Sequence, residues 1–249
     1  MARELRGHSA QGQTVPLYLS CWVGRDEVVY QSKLAGRRSG LSPRELGVEL
    51  LSTTIAHYAG LNVARPAMVT LTPRVMADVE REYRFDIHDA TAFGVVWKAG
   101  LTPFLPEIEL EQISEDECAT LLALDLVLTN GDRTGPNPNV CWEGDRLLVF
   151  DFEHCLELPL LGFEQRLDLH LQSLQPLYET HLVAPRVSPE ALRRATENVL
   201  DAVAVEALER DGFALPLSWY ESWFENVEYL GYIKSAPGPF FDRIGKLSR

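Results

Sequence analysis

The stretch from residue 124 to residue 152 limits this chain more than any other. An apolar run, Leu124-Asp125-Leu126-Val127-Leu128, leads into Thr129-Asn130-Gly131-Asp132-Arg133 and then a loop, Thr134-Gly135-Pro136-Asn137-Pro138-Asn139. A strand over Val140-Cys141-Trp142 follows. A second over Leu147-Leu148-Val149-Phe150 ends on Asp151. The pattern predicts a helix entering a polar loop, then a hairpin whose last strand closes on an acid. Asn-Gly-Asp is turn chemistry in its own right. An acid after four apolar residues is a different matter, because a buried carboxylate is unfavourable unless paired or bound to a metal.

Two acids with amides between them suit phosphoryl transfer. That reaction asks a protein for positioning and charge neutralisation more than for covalent chemistry. Asp132 is the candidate for the carboxylate that orients an attacking hydroxyl, and Arg133 would offset charge or steady the loop. Asn137 and Asn139 are the candidate amide ligands for Mg²⁺, which prefers oxygen donors in octahedral geometry. Asn137 lies five residues after Asp132, whereas Asn139 directly precedes a strand. That placement favours Asn139, and both stand as candidates. Asp151 is the candidate second ligand, where a metal ion would bridge the β- and γ-phosphates. Glu153 is within reach of the same place, while His154 is expected to be a structural hydrogen-bonder.

Such a loop needs a cation across a cleft, and the first part of the chain offers one. Val15, Leu17, Leu19 and Cys21 alternate with polar or aromatic residues, Gly24-Arg25-Asp26 turns, and 27–33 return, which predicts a β-hairpin. Lys33 ends the return strand and is the candidate phosphate-binding lysine. A helix starts at Ser42, with Pro43 in its first turn and Glu45 completing a capping box, and stops at Gly60. Glu45 is used by the cap, so Glu49, one turn later, is the expected partner of Lys33. Gly7 to Gln13 has phosphate-loop glycine spacing but lacks the Lys-Ser/Thr of a Walker loop. Arg37 and Arg38 are expected on the surface.

Further strands are expected over 61–71 and 83–98, so residues 1–98 read as a β-rich lobe with one long helix. Gly100 to Pro106 is turn-rich and marks the junction. Residues 99–249 then form a mainly helical lobe. In it, Ser114 and Glu117 predict a second capping box for a helix over 115–129, and later helices break near 185–189, 211–216 and 237–239. Trp219, Trp223, Phe224, Val227 and Leu230 lie at helical spacing and are expected to be core. The whole is an α+β, two-lobed architecture.

Composition narrows the function classes. A net charge of −13 argues against nucleic acid as a partner. No run approaches the length of a membrane span, and Met1 to Arg6 lacks the apolar core of a secretory signal. Cys21, Cys118, Cys141 and Cys155 have neither disulfide nor zinc spacing. They read as reduced thiols of a cytoplasmic protein.

Together, Asn130-Gly131-Asp132-Arg133, Asn137-Pro138-Asn139 and Phe150-Asp151 resemble the HipA-like kinases in their short, single-domain form. The resemblance extends over about residues 5–230 and includes Val28 to Lys33, Glu49 to Ala67 and Ala92-Phe93-Gly94. It implies a protein-kinase-like fold with Mg-ATP between the lobes, and a hinge at Gly94-Val95-Val96-Trp97-Lys98 that meets adenine through Val95, Val96 and Trp97. It also implies a serine/threonine protein kinase and, by analogy with toxin relatives, an antitoxin-like or regulatory protein partner. The chain departs from the kinase pattern in the long segment between Asp132 and Asn139. It departs again at Phe152-Glu153, where many kinases carry Phe-Gly. Two other readings fit the same residues: a catalytically weak nucleotide-binding scaffold that acts through a protein partner, and a kinase of a small molecule or lipid head group.

Overall fold

The computed structural model describes residues 1–8, 14–36, 41–87, 89–159, 161–212 and 214–247. Its first part is a five-stranded antiparallel sheet in the order β1-β2-β3-β5-β4. The strands are β1 (Ala2–His8), β2 (Leu17–Val23), β3 (Asp26–Lys33), β4 (Pro66–Thr70) and β5 (Thr91–Val96). The β2–β3 hairpin forms as its alternation predicts, with Val23 opposite Asp26 and Leu17 opposite Ser32. Gly7 and His8, the start of the segment with phosphate-loop glycine spacing, belong to β1. Ser9 to Gln13, Arg37 and Arg38 lie outside the described residues.

Two expectations for this part are corrected. The strand expected over 61–71 is confined to Pro66–Thr70. Ahead of it the chain reaches the other part of the molecule, where Val149 N–H donates to the Asn62 carbonyl at 2.9 Å. A second helix, α2 (Pro73–Tyr83), joins the long α1 (Pro43–Tyr58). Thr72 caps α2 by accepting from Val75 N–H, and Pro73 follows in the first turn. Its apolar face consists of Val75 and Val79, buried with Ala2, Leu17, Leu19 and Phe85.

The second part begins with β6 (Thr102–Pro103), which pairs with a hairpin of β7 (Val140–Glu143) and β8 (Arg146–Val149). The rest is mainly helical: the single turn α3 (Pro106–Glu109), α4 (Glu115–Val127), α5 (Phe163–Thr180), α6 (Pro189–Ala202), α7 (Val205–Gly212), α8 (Leu217–Ser235) and α9 (Gly238–Ile244). The α1 capping box forms completely, Ser42 accepting from Glu45 N–H and Glu45 from Ser42 N–H. At α4, among the described residues, only the Ser114 half is present.

The larger apolar core does not follow the chain order. Leu46, Leu51 and Ile55 of α1 are buried with Trp219, Trp223, Val227 and Leu230 of α8 and with α4 and α6. Gly47 permits the approach. A Cβ there would stand 3.0 Å from the Ser222 hydroxyl and 3.3 Å from the Trp219 carbonyl. Ala64, Cys141 and Leu148 form a smaller apolar contact with Val95, joining sheet to hairpin. The four cysteines are free and buried, and among the described residues no helix is long and apolar enough to cross a membrane.

Candidate active site

The loop that carries Asp132 is shaped by a buried ion pair one helical turn before it. Asp125 sits in the Leu-rich end of α4, fully enclosed, and accepts from Arg133 Nε at 2.6 Å and His181 Nε2 at 2.9 Å. Burial alone would raise the pKa of Asp125, but Arg133 and His181 hold it below the usual carboxylate range. Val183 N–H donates to His181 Nδ1 at 3.2 Å, so the imidazole is neutral with its proton on Nε2. Asn130 donates to Asp125 at 2.8 Å and accepts from Asp132 N–H at 3.1 Å. Thr129, with φ of 53°, turns the chain out of the helix.

Arg133 ties this loop to the strand that delivers the second acid. Its Nη1 donates to the carbonyls of Asn139 at 2.7 Å and Phe150 at 3.4 Å, and its guanidinium lies 5.2 Å from the Phe152 ring centre. Phe150 N–H in turn donates to the Asn139 carbonyl at 3.2 Å. Asn139 and Asp151 are therefore backbone neighbours, and both have left-handed φ, 46° and 65°. Such conformations are strained for residues with a Cβ, tolerated best by Asn and Asp, and concentrated at functional sites.

Both candidate amides reach Asp132. Asn137 Nδ2 and Asn139 Nδ2 each donate to Asp132 Oδ2 at 2.8 Å. Asn137 is exposed and Asn139 is buried. An open cavity of about 370 Å³ adjoins Asp132. Gly131, His154, Glu157, Ser173 and Leu177 are among its walls. His154 bonds Glu157 at 2.8 Å, in line with its expected structural role. Partial burial would lower its pKa, but Glu157 raises it.

Across from this loop, Lys33 at the end of β3 meets three carboxylates: Glu49 at 3.1 Å, Glu153 at 2.7 Å and Asp151 at 2.5 Å. Burial would lower the pKa of the ammonium, yet the three acids raise it above its ordinary value. One cation cannot neutralise three anions, and the surplus proton affinity appears on the most enclosed acid. Burial pushes Glu49 up to about 7 against the pull of Lys33. Burial also raises Glu153. Ligand oxygens of Glu49, Asp151 and Glu153 all lie within 4.8 Å of one another. Asp151, with Asn139 beside it, offers hard oxygen donors of the kind Mg²⁺ takes, while Glu49 and Glu153 are engaged by Lys33.

The expected hinge runs off the end of β5, the strand between β3 and β4. Tyr30 pairs with Val96 and Gln31 with Val95. Gly94 sits where an added Cβ would be 2.8 Å from Val69 Cγ2 and 3.0 Å from the Ser32 hydroxyl. Trp97 N–H is committed to the Val29 carbonyl at 2.9 Å, and its side chain is 46% exposed beside Tyr18. Base recognition at Trp97 would fall to its ring or carbonyl.

The structure thus brings Lys33, Glu49 and Asp151 together in one cluster, and Asp132, Asn137 and Asn139 in another. Val95 and Val96 end the strand beside β3, and Trp97 follows it. The sequence reading passed over Asp125 and His181, although an acid inside Leu124 to Leu128 is a visible demand for a buried partner.

Comparisons with known proteins bear on the family and the fold. No curated protein sequence matches the chain. Among solved structures, that of the proinflammatory kinase CtkA from Helicobacter pylori is similar in fold. Its TM-score is 0.59, over 99% of this chain and 97% of that one, at 12% sequence identity. The sequence profile described as HipA-like kinase matches residues 2–228. With an antiparallel sheet ahead of a mainly helical part and a profile match over nearly its whole length, the chain belongs to the HipA-like kinase family.

Proposed function

We propose that this chain is a Mg-ATP-dependent kinase that phosphorylates an alcohol group, a protein serine or threonine. The proposal treats residues 1–98 and 99–249 as its two lobes. The observation that carries it is the meeting of Lys33 with Asp151 at 2.5 Å, across 118 residues of chain, beside a loop that presents Asp132.

In this reading Lys33, braced by Glu49, binds phosphate oxygens as a point charge. Val95, Val96 and Trp97 border the base. Asp151 and Asn139 would hold Mg²⁺, and the buried Asn139, bonded through its carbonyl to Phe150, suits this better than the exposed Asn137. The metal ion, when bound, would neutralise charge on the transferring phosphoryl group. Asp132 orients the acceptor hydroxyl and takes its proton as the new O–P bond forms and the bond to ADP breaks. Asn137 and Asn139 keep the Asp132 carboxylate aimed. The cavity beside Asp132 is where the acceptor would enter.

Transfer from labelled ATP to the protein itself and to cell extract tests this. Asp132→Ala should reduce transfer by about 10³-fold while leaving Mg-ATP binding intact. Asp151→Ala should abolish the dependence of binding on Mg²⁺. Wild-type protein that binds Mg-ATP yet never transfers phosphate would favour the scaffold reading. Transfer only to a lipid or metabolite fraction would move the acceptor away from protein. No binding of Mg-ATP would overturn the proposal.

A further inference from the structure

Lys33 has a counting problem. An ammonium group has three N–H donors and no acceptor. Glu49, Glu153 and Asp151 take all three, at 3.1, 2.7 and 2.5 Å. Nothing is left for a phosphate oxygen. Three acids around one cation also leave a surplus of negative charge facing the place where phosphates would enter.

The three acids are not equally free to leave. The side chains of Glu49 and Glu153 are 4% and 6% exposed, and that of Asp151 is 30% exposed. Glu49 is fixed on α1, whose neighbouring residues are core. Glu153 follows Phe152, which is fully buried. Asp151 is the member that can turn away at least cost, and it is the one with a use for a cation.

We propose that Glu153 is a positioning residue that closes the Lys33 site to nucleotide until a divalent cation arrives. With Glu153 in place, Lys33 gains a free donor only when Asp151 lets go. Asp151 lets go when a cation takes it, and the same cation cancels the surplus charge. Glu153 and Glu49 then keep the ammonium aimed. A glycine at position 153 would leave one donor free in the metal-free protein and remove one negative charge. The inference rests on the kinase reading of Lys33 and Asp151.

The test is titration of the full chain with a fluorescent ATP analogue, in EDTA and in Mg²⁺. In EDTA, Glu153→Gln should bind about tenfold more tightly than wild type, from the loss of one nearby charge and a weaker hold on the Lys33 ammonium by the neutral amide oxygen. In Mg²⁺ that advantage should disappear, because the cation already frees Lys33 from Asp151. Glu153→Gly is the parallel variant should the glutamine form fail to fold, with the same expectation. Asp151→Asn should also bind more tightly in EDTA but should lose the Mg²⁺ enhancement that Glu153→Gln retains. If the Glu153 variants bind metal-free nucleotide no better than wild type while wild type binds Mg-ATP, the role of Glu153 is overturned and the kinase reading stands. If wild type binds nucleotide under neither condition, both fall.

Discussion

Two buried charge clusters lie on either side of residues 132–151, and they are built on opposite plans. Around Asp125 the charges balance: one acid, one guanidinium and a neutral histidine, all from the helical part and its loops. Around Lys33 they do not, with three acids drawn from α1 and the end of β8 onto a single ammonium of the sheet. A balanced pair in a low-dielectric interior leaves no net charge to attract a further ion. It can therefore serve as a fixed frame, and Arg133 extends that frame to the Asn139 and Phe150 backbone. An unbalanced cluster retains a demand for positive charge. The same chemistry of buried acids and bases thus provides rigidity in one place and appetite for a cation in the other.

The comparison breaks most visibly at Asp125. Asp125→Ala leaves Arg133 buried without its anion and should lower stability by about 3–5 kcal/mol, measured by urea unfolding. A loss below about 1 kcal/mol would mean that the balanced cluster is not a frame. Acid should weaken the same region through His170, whose Nε2 donates to the Leu126 carbonyl at 2.7 Å and whose Nδ1 meets the Tyr229 hydroxyl at 2.9 Å. Burial holds the pKa of His170 down at about 4, with the Leu126 bond offsetting part of the shift. The unfolded chain therefore takes up the proton first as pH falls. This contribution is complete above about pH 6.5 and is lost by about pH 4, for about 3 kcal/mol. Melting temperatures across that window should fall less steeply for His170→Gln, and an unchanged slope would assign the acid sensitivity elsewhere.

Smaller effects sharpen the other side. Ser42→Ala removes half of the capping box that starts α1 and should reduce stability by about 1 kcal/mol. Because α1 carries Glu49, the loss should be accompanied by weaker Mg-ATP binding, and normal binding would separate the cap from the site. The smallest change is the most telling. Glu153→Gln removes surplus charge, so its unfolding free energy should stay level or rise slightly. A loss comparable with that of Asp125→Ala would show that the two clusters are of one kind.

Much of the site could be read from the chain because its signals are local. Asp151 interrupts an apolar strand. Ser42, Pro43 and Glu45 announce α1 within four residues, and Lys33 ends an alternating strand. The helix α2 was hidden because charged residues interrupt the stripe of Val75, Met76, Val79 and Tyr83. Strand β1 was hidden as an edge strand, with Arg3, Glu4 and Arg6 among its seven residues. His181 could not be tied to Asp125, since the pair is separated by 56 positions and depends on how α5 returns. Nor does spacing alone separate Asn137 from Asn139. Both reach Asp132, and only the burial of Asn139 and its carbonyl bond with Phe150 set them apart.

The partnership of α1 with α8 has a consequence for how the chain is made. A ribosome releases α1 long before α8, the helix that covers its Leu46, Leu51 and Ile55 face. At ordinary elongation rates that interval is on the order of ten seconds. During it, the sheet can pair its strands while α1 and Glu49 have no settled place. Lys33 would meet Glu49 in its settled place only after α8 emerges, so shorter nascent chains should lack the assembled Lys33 cluster.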